Sequence, residues 1–166
     1  MNAINAINAI TKLVPDTLIA NPVGAPVVSS IKVKAEAGKV WAVVGDFGGF
    51  GKFIPALASI EVIGNGAGAV RHKQFKEGGL VVVEQLNSRD DNAMCMTWTT
   101  IYNNLGIANL WASMTVTPEG QSSSVATWTI IAEPAFDNPA NAEEFRAFLQ
   151  GFADGAMANV PELFTA

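Results

Sequence analysis

The sequence is poor in the residue types on which most metal and catalytic sites depend. Its 166 residues include one histidine, His72, and one cysteine, Cys95. Metal clusters, catalytic triads and cysteine nucleophiles with a histidine base all draw on these two residue types. We therefore expect no metal site and no cofactor. A lone cysteine excludes an internal disulfide and is compatible with a reducing cytoplasm.

Basic residues and long apolar runs are also scarce. Lys and Arg together number 10 against 15 Asp and Glu, which gives a net charge of −5 and argues against nucleic acid as a partner. No apolar run approaches the ~20 residues that cross a bilayer, and the N-terminus lacks the pattern of a signal peptide. These absences predict a soluble cytoplasmic protein with no membrane span.

Apolar side chains are abundant instead. They make up 49% of the residues against 15% charged, which is enough for one domain with a core and an internal cavity. We expect this domain at residues 26–166. Residues 1–25, which begin with the repeat NAINAINAI, are expected to be a mobile extension or an arm packed on the sheet or on a second subunit, as in a homodimer.

The periodicity predicts an α+β fold. A first strand at Val27 to Ala35 is followed by two short helices, at Gly38 to Asp46 and near Pro55. Six further strands joined by short turns indicate an antiparallel meander. A long C-terminal helix follows, capped by Asn141, with an apolar stripe that lies on the sheet. Seven such strands must curl, so we expect a cavity between the sheet and the helix.

The segment from Gly66 to Asp91 reads as a β-hairpin with charged groups on its apolar face. A two-residue turn at Gly78-Gly79 would place Lys73 opposite Glu84 and Phe75 opposite Val82. Arg71 shares their face, whereas the other face is mainly polar. The charged trio is therefore predicted to face inward, although a slip of one residue would exchange the two faces.

Several short motifs occur in an order that resembles a known superfamily. They are Val40-Trp41, Asp46-Phe47, Phe53-Ile54-Pro55, Gly68-Ala69-Val70-Arg71, Glu84-Gln85-Leu86, Asp90-Asp91, Trp98, Leu110-Trp111-Ala112-Ser113, Trp128 and Gly151-Phe152-Ala153. Over residues 27–164 the chain resembles the START/Bet v 1-like (SRPBCC) superfamily, in particular bacterial polyketide cyclase/dehydrase-like proteins and, distantly, plant abscisic acid receptors. The resemblance implies a helix-grip fold around an apolar cavity for a lipid-, isoprenoid- or polyketide-like molecule.

The resemblance also implies that Glu84 and Trp111 line the cavity, with Ser113 beside them. The pattern of the Asn109 to Pro118 strand leaves the choice of face open, because the opposite face is at least as apolar. That opposite face carries Leu110, Ala112, Met114 and Val116.

Binding of a small hydrophobic molecule is the expected function. The candidate ligand-binding residues are Phe53, Phe75, Val82, Glu84, Trp98, Tyr102, Trp111, Ser113, Phe152 and Ala156. The trio Arg71, Lys73 and Glu84 has three possible roles: a structural ion pair, an anchor for a ligand's polar group, or catalysis. The catalytic alternative is a polyketide cyclase or dehydratase that uses the trio as acid-base and oxyanion groups.

Overall fold

The structure is a computed structural model that describes residues 22–165. Its elements are β1 (Val27–Val33), α1 (Ala37–Val44), a 3-10 turn (Phe50–Lys52), β2 (Leu57–Ile63), β3 (Val70–Phe75), β4 (Val81–Asp90), β5 (Cys95–Asn103), β6 (Ile107–Pro118), β7 (Ser124–Pro134), α2 (Ala142–Ala158) and a final 3-10 turn (Pro161–Phe164). This order agrees with the predicted one, except that the second short helix is a single 3-10 turn. The N-terminal repeat lies outside the described residues.

All seven strands form one antiparallel sheet in the order β1-β7-β6-β5-β4-β3-β2. Strands β2 to β7 are sequential neighbours, so the predicted meander is confirmed. The first strand pairs with the last, Val27 opposite Ile130 and Val33 opposite Ser124. The sheet curves around the C-terminal helix, and the predicted α+β helix-grip fold is confirmed.

Helix α2 begins where the sequence predicts. The side-chain Oδ1 of Asn141 accepts a hydrogen bond from the backbone N–H of Glu144 over 2.8 Å, which satisfies one of the free donors of the first turn. The helix stops at Asn159, two residues before Pro161. Its buried stripe faces the sheet and comprises Phe145, Leu149, Ala153, Ala156 and Met157.

Polar side chains attach this helix to β1 and to the segment before β2. Gln150 Nε2 donates to the carbonyl of Val28 on β1 over 3.0 Å. Asn159 Nδ2 donates to the carbonyl of Phe53 over 3.1 Å. At the β3 side the helix meets the sheet through a looser aromatic contact, with the rings of Phe152 and Phe75 6.2 Å apart. A space therefore remains between the helix and strands β3 to β7.

Aromatic side chains fill one end of the interior. The ring of Phe50 lies 4.8 Å from Phe53 and 5.6 Å from Trp98, and Trp98 lies 6.2 Å from Trp128. Tilted and edge-on arrangements at these separations are favourable for aromatic pairs. The cluster packs this part of the interior, and its members Trp98 and Trp128 border the open space. Between residues 22 and 165, no helix has the length and apolar character needed to span a bilayer.

Candidate functional site

A cavity of about 240 Å³ lies between the concave face of the sheet and α2. Its wall is drawn from the loop before β2, from strands β3 to β7 and from the helix. The lining residues are Ala56, Lys73, Phe75, Leu80, Val82, Glu84, Trp98, Thr100, Leu105, Ile107, Leu110, Trp128, Ile130, Phe148, Leu149 and Phe152.

Polarity is confined to one side of this wall. Of the described residues that line it, Lys73, Glu84 and Thr100 carry polar side-chain groups apart from the tryptophan indoles. They come from the neighbouring strands β3, β4 and β5, and Glu84 lies directly opposite Thr100. The lining residues from β6, β7 and α2 are apolar or aromatic. The cavity is thus apolar with one polar edge.

The hairpin that supplies this edge differs in register from the prediction. Arg71 pairs with Glu84 and Lys73 with Val82, so the predicted pairing of Lys73 with Glu84 is wrong by two residues. The loop is longer than expected: the backbone N–H of Phe75 donates to the carbonyl of Leu80 over 2.9 Å, which leaves the four residues 76–79 between the strands. A shift of two residues preserves the faces, and the trio points inward as predicted.

Arg71, Lys73 and Glu84 form a buried charge cluster. Oε2 of Glu84 lies 2.6 Å from Nε of Arg71 and 3.1 Å from Nζ of Lys73. The three residues are 0%, 4% and 3% exposed, with Arg71 the most buried. One carboxylate oxygen therefore serves two cations, and the cluster carries one more positive charge than negative.

Arg71 lies behind the cavity wall. Its guanidinium carbon is 4.2 Å from the ring of Phe47, 4.0 Å from Phe50 and 4.9 Å from Trp98, within the range of cation–π attraction. Its Nη1 also donates to the carbonyl of Phe47 over 2.9 Å. These contacts fix Arg71 as the holder of Glu84, whereas Lys73 and Glu84 reach the cavity.

Burial and charge set the protonation of the cluster. Burial, aided by the charge of Arg71, lowers the pKa of Lys73 to about 8 against the raising effect of Glu84. Burial alone would raise the pKa of Glu84, but the cations of Arg71 and Lys73 outweigh it and hold that pKa below its ordinary value. Glu84 is therefore ionised near neutral pH, and Lys73 is close to its titration point.

Five of the predicted ligand-binding residues line the cavity: Phe75, Val82, Glu84, Trp98 and Phe152. Two others are buried beside it. Phe53 is 0% exposed in the aromatic cluster, and Ala156 is 5% exposed on the helix stripe. Their side chains contribute to the core, and their contact with a ligand stays a prediction.

Tyr102 does not reach the cavity. A β-bulge in β5 places Thr100 opposite Glu84 but Tyr102 opposite Val83 and Asn103 opposite Val82. The extra residue reverses the alternation, so Tyr102 turns to the outer face, where it is 57% exposed. The prediction that Tyr102 is a ligand-binding residue of the cavity is wrong for this reason.

Trp111 and Ser113 also lie on the outer face. The buried residues of β6 are Ile107, Leu110, Ala112, Met114 and Val116, and Leu110 lines the cavity. The placement of Trp111 and Ser113 inside, which the resemblance implied, is wrong. The apolar alternation of Leu110, Ala112, Met114 and Val116 is the signal that identifies Leu110, although the sequence pattern is compatible with either face.

Other lining residues were not among the candidates. Ile130 lies on the inner face because β7 pairs with β6 so that Ile130 is opposite the inward-facing Ala112. The turn after β5 places Leu105 and Ile107 at the cavity. In this turn Asn103 Oδ1 accepts hydrogen bonds from the backbone N–H groups of Leu105 and Ile107 over 3.0 and 3.1 Å. Within the described part of the chain, no group of three or more His, Cys, Asp or Glu residues is placed to hold a metal ion.

Comparisons with known proteins agree with this architecture. Protein XoxI from Bacillus cereus has a TM-score of 0.75 at 19% identity, covering 85% of this chain and 96% of that one. Zhui aromatase/cyclase from Streptomyces sp. R1128 has a TM-score of 0.68 at 15% identity, and the match covers 84% of this chain and 92% of that one. The di-domain ARO/CYC BexL, from the BE-7585A biosynthetic pathway, has a TM-score of 0.72 at 12% identity, and the match covers 84% of this chain and 46% of that one. Identities this low show a shared fold.

A sequence search of curated proteins found no match. A family model described as "Polyketide cyclase / dehydrase and lipid transport" matches residues 25–165. The match covers most of the chain, so the resemblance to the SRPBCC superfamily is confirmed. The chain belongs to the polyketide cyclase/dehydrase and lipid transport family.

Proposed function

We propose that the protein binds a small, mainly apolar molecule in this cavity and holds the molecule's polar end at Lys73, Glu84 and Thr100. The one-sided distribution of polarity in the wall carries this proposal, because it matches a molecule with one polar end. The family and the aromatase/cyclase neighbours fit a hydrophobic-ligand or cyclase role.

The size of the cavity favours a small ligand. Its volume of about 240 Å³ is below the range of roughly 300–1,000 Å³ that is usual for drug-sized ligands. A longer molecule would have to protrude past Phe148, which lines the cavity and is 55% exposed. We therefore expect one or two fused rings, or a short chain, rather than a complete membrane lipid.

The charge of the polar edge favours an acidic or oxygen-bearing group. Arg71 already neutralises Glu84, so the charge of Lys73 remains as a surplus within an apolar wall. A carboxylate or enolate oxygen near Lys73 would remove this surplus and form a charge-assisted hydrogen bond. Among the described residues, the Thr100 hydroxyl and the indole N–H groups of Trp98 and Trp128 are also buried without a hydrogen-bond partner, which further favours a ligand with oxygen atoms.

A cyclase or dehydratase activity is the second candidate. The arrangement in its favour is the placement of Lys73 and Glu84 side by side on the cavity wall, with Nζ 3.1 Å from Oε2. The pKa of Lys73, lowered to about 8 mainly by burial, is compatible with this role, because a group that titrates near the working pH can move protons efficiently. In this case Lys73 and Glu84 would contact the substrate. Arg71 would position Glu84 from behind the wall.

Two neighbouring residues of β4 offer a matched test of cavity binding. Val82 lines the cavity and Val83 lies on the outer face. We expect Val82→Trp to fill the cavity and abolish binding of 2-naphthoate in a calorimetric titration, whereas Val83→Trp should bind as the wild type does. Equal binding by both variants, or no binding of 2-naphthoate or naphthalene by the wild type, would contradict the proposal. Native mass spectrometry of the purified protein would reveal a co-purifying ligand.

A chemical test separates anchoring from simple burial. We expect Lys73→Met to weaken 2-naphthoate by roughly ten- to a hundredfold, as loss of a hydrogen bond to a charged group implies, and to leave the affinity for naphthalene nearly unchanged. Lys76→Met, in the exposed hairpin loop, is the control. A dehydrating or cyclising activity toward a short poly-β-keto compound that Lys73→Met removes would favour the enzyme.

A further inference from the structure

The wall of the cavity contains a primary amine in an unusual setting. Lys73 is 4% exposed and is the one lysine among the described lining residues. Its Nζ lies 3.1 Å from Glu84 Oε2, and its neighbours on the wall include the apolar Phe75 and Val82. An amine that faces an apolar space is accessible to a bound molecule and shielded from bulk water.

We propose that Lys73 forms a covalent imine with apolar ligands that carry an aldehyde or ketone group, so that the cavity is a carbonyl-capturing site. This inference rests on the proposed function, because the molecule must first bind in the cavity. It adds a chemical class, apolar carbonyl compounds, to the ligands expected there.

The reaction needs no partner other than the ligand. The neutral amine attacks the carbonyl carbon, a C–N bond forms, and the amine proton passes to the former carbonyl oxygen to give a carbinolamine. The carbinolamine then loses its hydroxyl group with the second amine proton as one molecule of water, and a C=N bond remains. Carbonyl compound and amine thus become imine and water, with no change of oxidation state.

The charge cluster suits the product as well as the reactant. A protonated imine carries the same single positive charge as the lysine ammonium and occupies nearly the same position. Glu84 can therefore remain its counter-ion over a similar distance while Arg71 holds the carboxylate from behind, with Nε 2.6 Å away. Counted from the ammonium form, the reaction keeps the net charge of the cluster, and the apolar wall limits the water that would hydrolyse the imine.

The titration of the amine is compatible with this chemistry. The nucleophile in imine formation is the neutral amine, and burial together with Arg71 lowers the pKa of Lys73 to about 8. A substantial fraction of Lys73 is then neutral at mildly basic pH, unlike a lysine at its ordinary value of 10.5. The two charged groups that face Lys73 are Glu84 on β4 and Arg71 on β3.

Trapping with a reductant tests the inference. The full-length protein is incubated with 2-naphthaldehyde near pH 8, sodium cyanoborohydride is added, and the modified lysine is located by peptide mass spectrometry. We expect one fast adduct, at Lys73. It should form at least tenfold faster than the adducts at the exposed Lys32, Lys52 and Lys76. We also expect excess 2-naphthoate to slow the reaction, because the two molecules compete for the cavity.

Three variants separate a cavity reaction from surface labelling. Lys73→Met and Lys73→Arg should lose the fast adduct, and Lys76→Met should retain it. The Arg variant keeps a positive charge without an amine nucleophile, so it separates charge from reactivity. Circular dichroism and naphthalene binding establish that each variant is folded with an open cavity.

The outcomes distinguish the two proposals. Fast labelling that is confined to Lys73 and blocked by 2-naphthoate supports the imine site. Labelling spread evenly over the lysines, or none at Lys73 while naphthalene and 2-naphthoate still bind, overturns the imine site and leaves the binding function standing. Failure of the wild type to bind naphthalene or 2-naphthoate overturns both.

Discussion

Arg71 lies directly opposite Glu84 in the register of β3 and β4, and its Nε donates to Oε2 of that carboxylate over 2.6 Å. Both side chains are almost completely buried. A buried ion pair of this kind contributes little net stability when it is intact, but loss of one partner leaves an unpaired charge. The cluster that frames the polar edge of the cavity should therefore respond very unequally to substitution of its members.

Replacing Glu84 should be the most damaging change in the cluster. Glu84→Gln leaves the cations of Arg71 and Lys73 buried together with no anion, and we expect a loss of about 3–5 kcal/mol in the free energy of unfolding. Urea denaturation at neutral pH measures it. Glu61→Gln, at an exposed position of β2, should change stability by less than about 0.5 kcal/mol. Equal effects of the two substitutions would argue against a buried cluster.

Replacing Lys73 should have the opposite sign. Lys73→Met removes the surplus cation, keeps the Arg71–Glu84 pair and places an apolar chain of similar length in an apolar wall. We expect the free energy of unfolding at pH 7 to stay equal or to rise. The same denaturation experiment checks this, and a loss of more than about 2 kcal/mol would show that Lys73 stabilises the fold.

The stability of the wild type should rise with pH above about 8. The pKa of Lys73 is about 8 in the folded protein and near 10.5 in a solvated chain. Between these values the unfolded chain retains a proton that the native state has lost, so the free energy of unfolding increases with pH. Denaturation curves through this range measure the slope. The comparison is with Lys73→Met, in which this contribution should be absent.

The aromatic cluster next to Arg71 should tolerate truncation poorly. Phe50 is 0% exposed and its ring lies 4.0 Å from the guanidinium of Arg71. We expect Phe50→Ala to cost about 3–5 kcal/mol in the free energy of unfolding through the cavity that it leaves. Phe136→Ala is the control, because the Phe136 side chain is fully exposed. A small effect at Phe50 would indicate that the neighbouring rings collapse into the space.

The turn after β5 should affect both stability and binding. Asn103 accepts hydrogen bonds from Leu105 and Ile107 and donates to the Ile107 carbonyl over 2.8 Å. Since Leu105 and Ile107 line the cavity, we expect Asn103→Ala to cost about 1–3 kcal/mol in the free energy of unfolding and to lower the affinity for 2-naphthoate. Calorimetry and denaturation measure the two effects. The exposed Asn92, in the turn between β4 and β5, provides the comparison, and its change to Ala should alter neither.

The sequence was sufficient for the fold because each element has a distinct period. The Asn141 cap and the apolar stripe that begins at Phe145 identify α2, and short turns between alternating runs identify the meander. The prediction that Arg71, Lys73 and Glu84 point inward is correct, although the predicted hairpin register is wrong by two residues. A register shift by an even number of residues keeps each side chain on its face, whereas an odd shift moves it to the other face. Contact partners change with any shift, so they were harder to predict than faces.

The site was predicted less completely, since parts of it depend on long-range contacts. The bulge that turns Tyr102 outward follows from how β5 pairs with β4, and no local pattern in β5 marks it. The hairpin loop is longer than predicted, and the backbone N–H of its Lys76 bonds to Ala56, twenty positions away along the chain. For Trp111 the local pattern left both faces open, and the resemblance to the receptors pointed to the wrong one.

Phe148 gives this cavity a particular kind of opening. Its exposed ring is carried by a packed helix rather than by a loop, so we expect a rotation about its side-chain torsions to widen the entrance without movement of the backbone. Rotations of exposed side chains take picoseconds to nanoseconds, whereas loop rearrangements take nanoseconds to microseconds. We therefore expect exchange in this protein to be free of a slow gating step, so that the residence time of a guest reflects only how tightly the interior holds it.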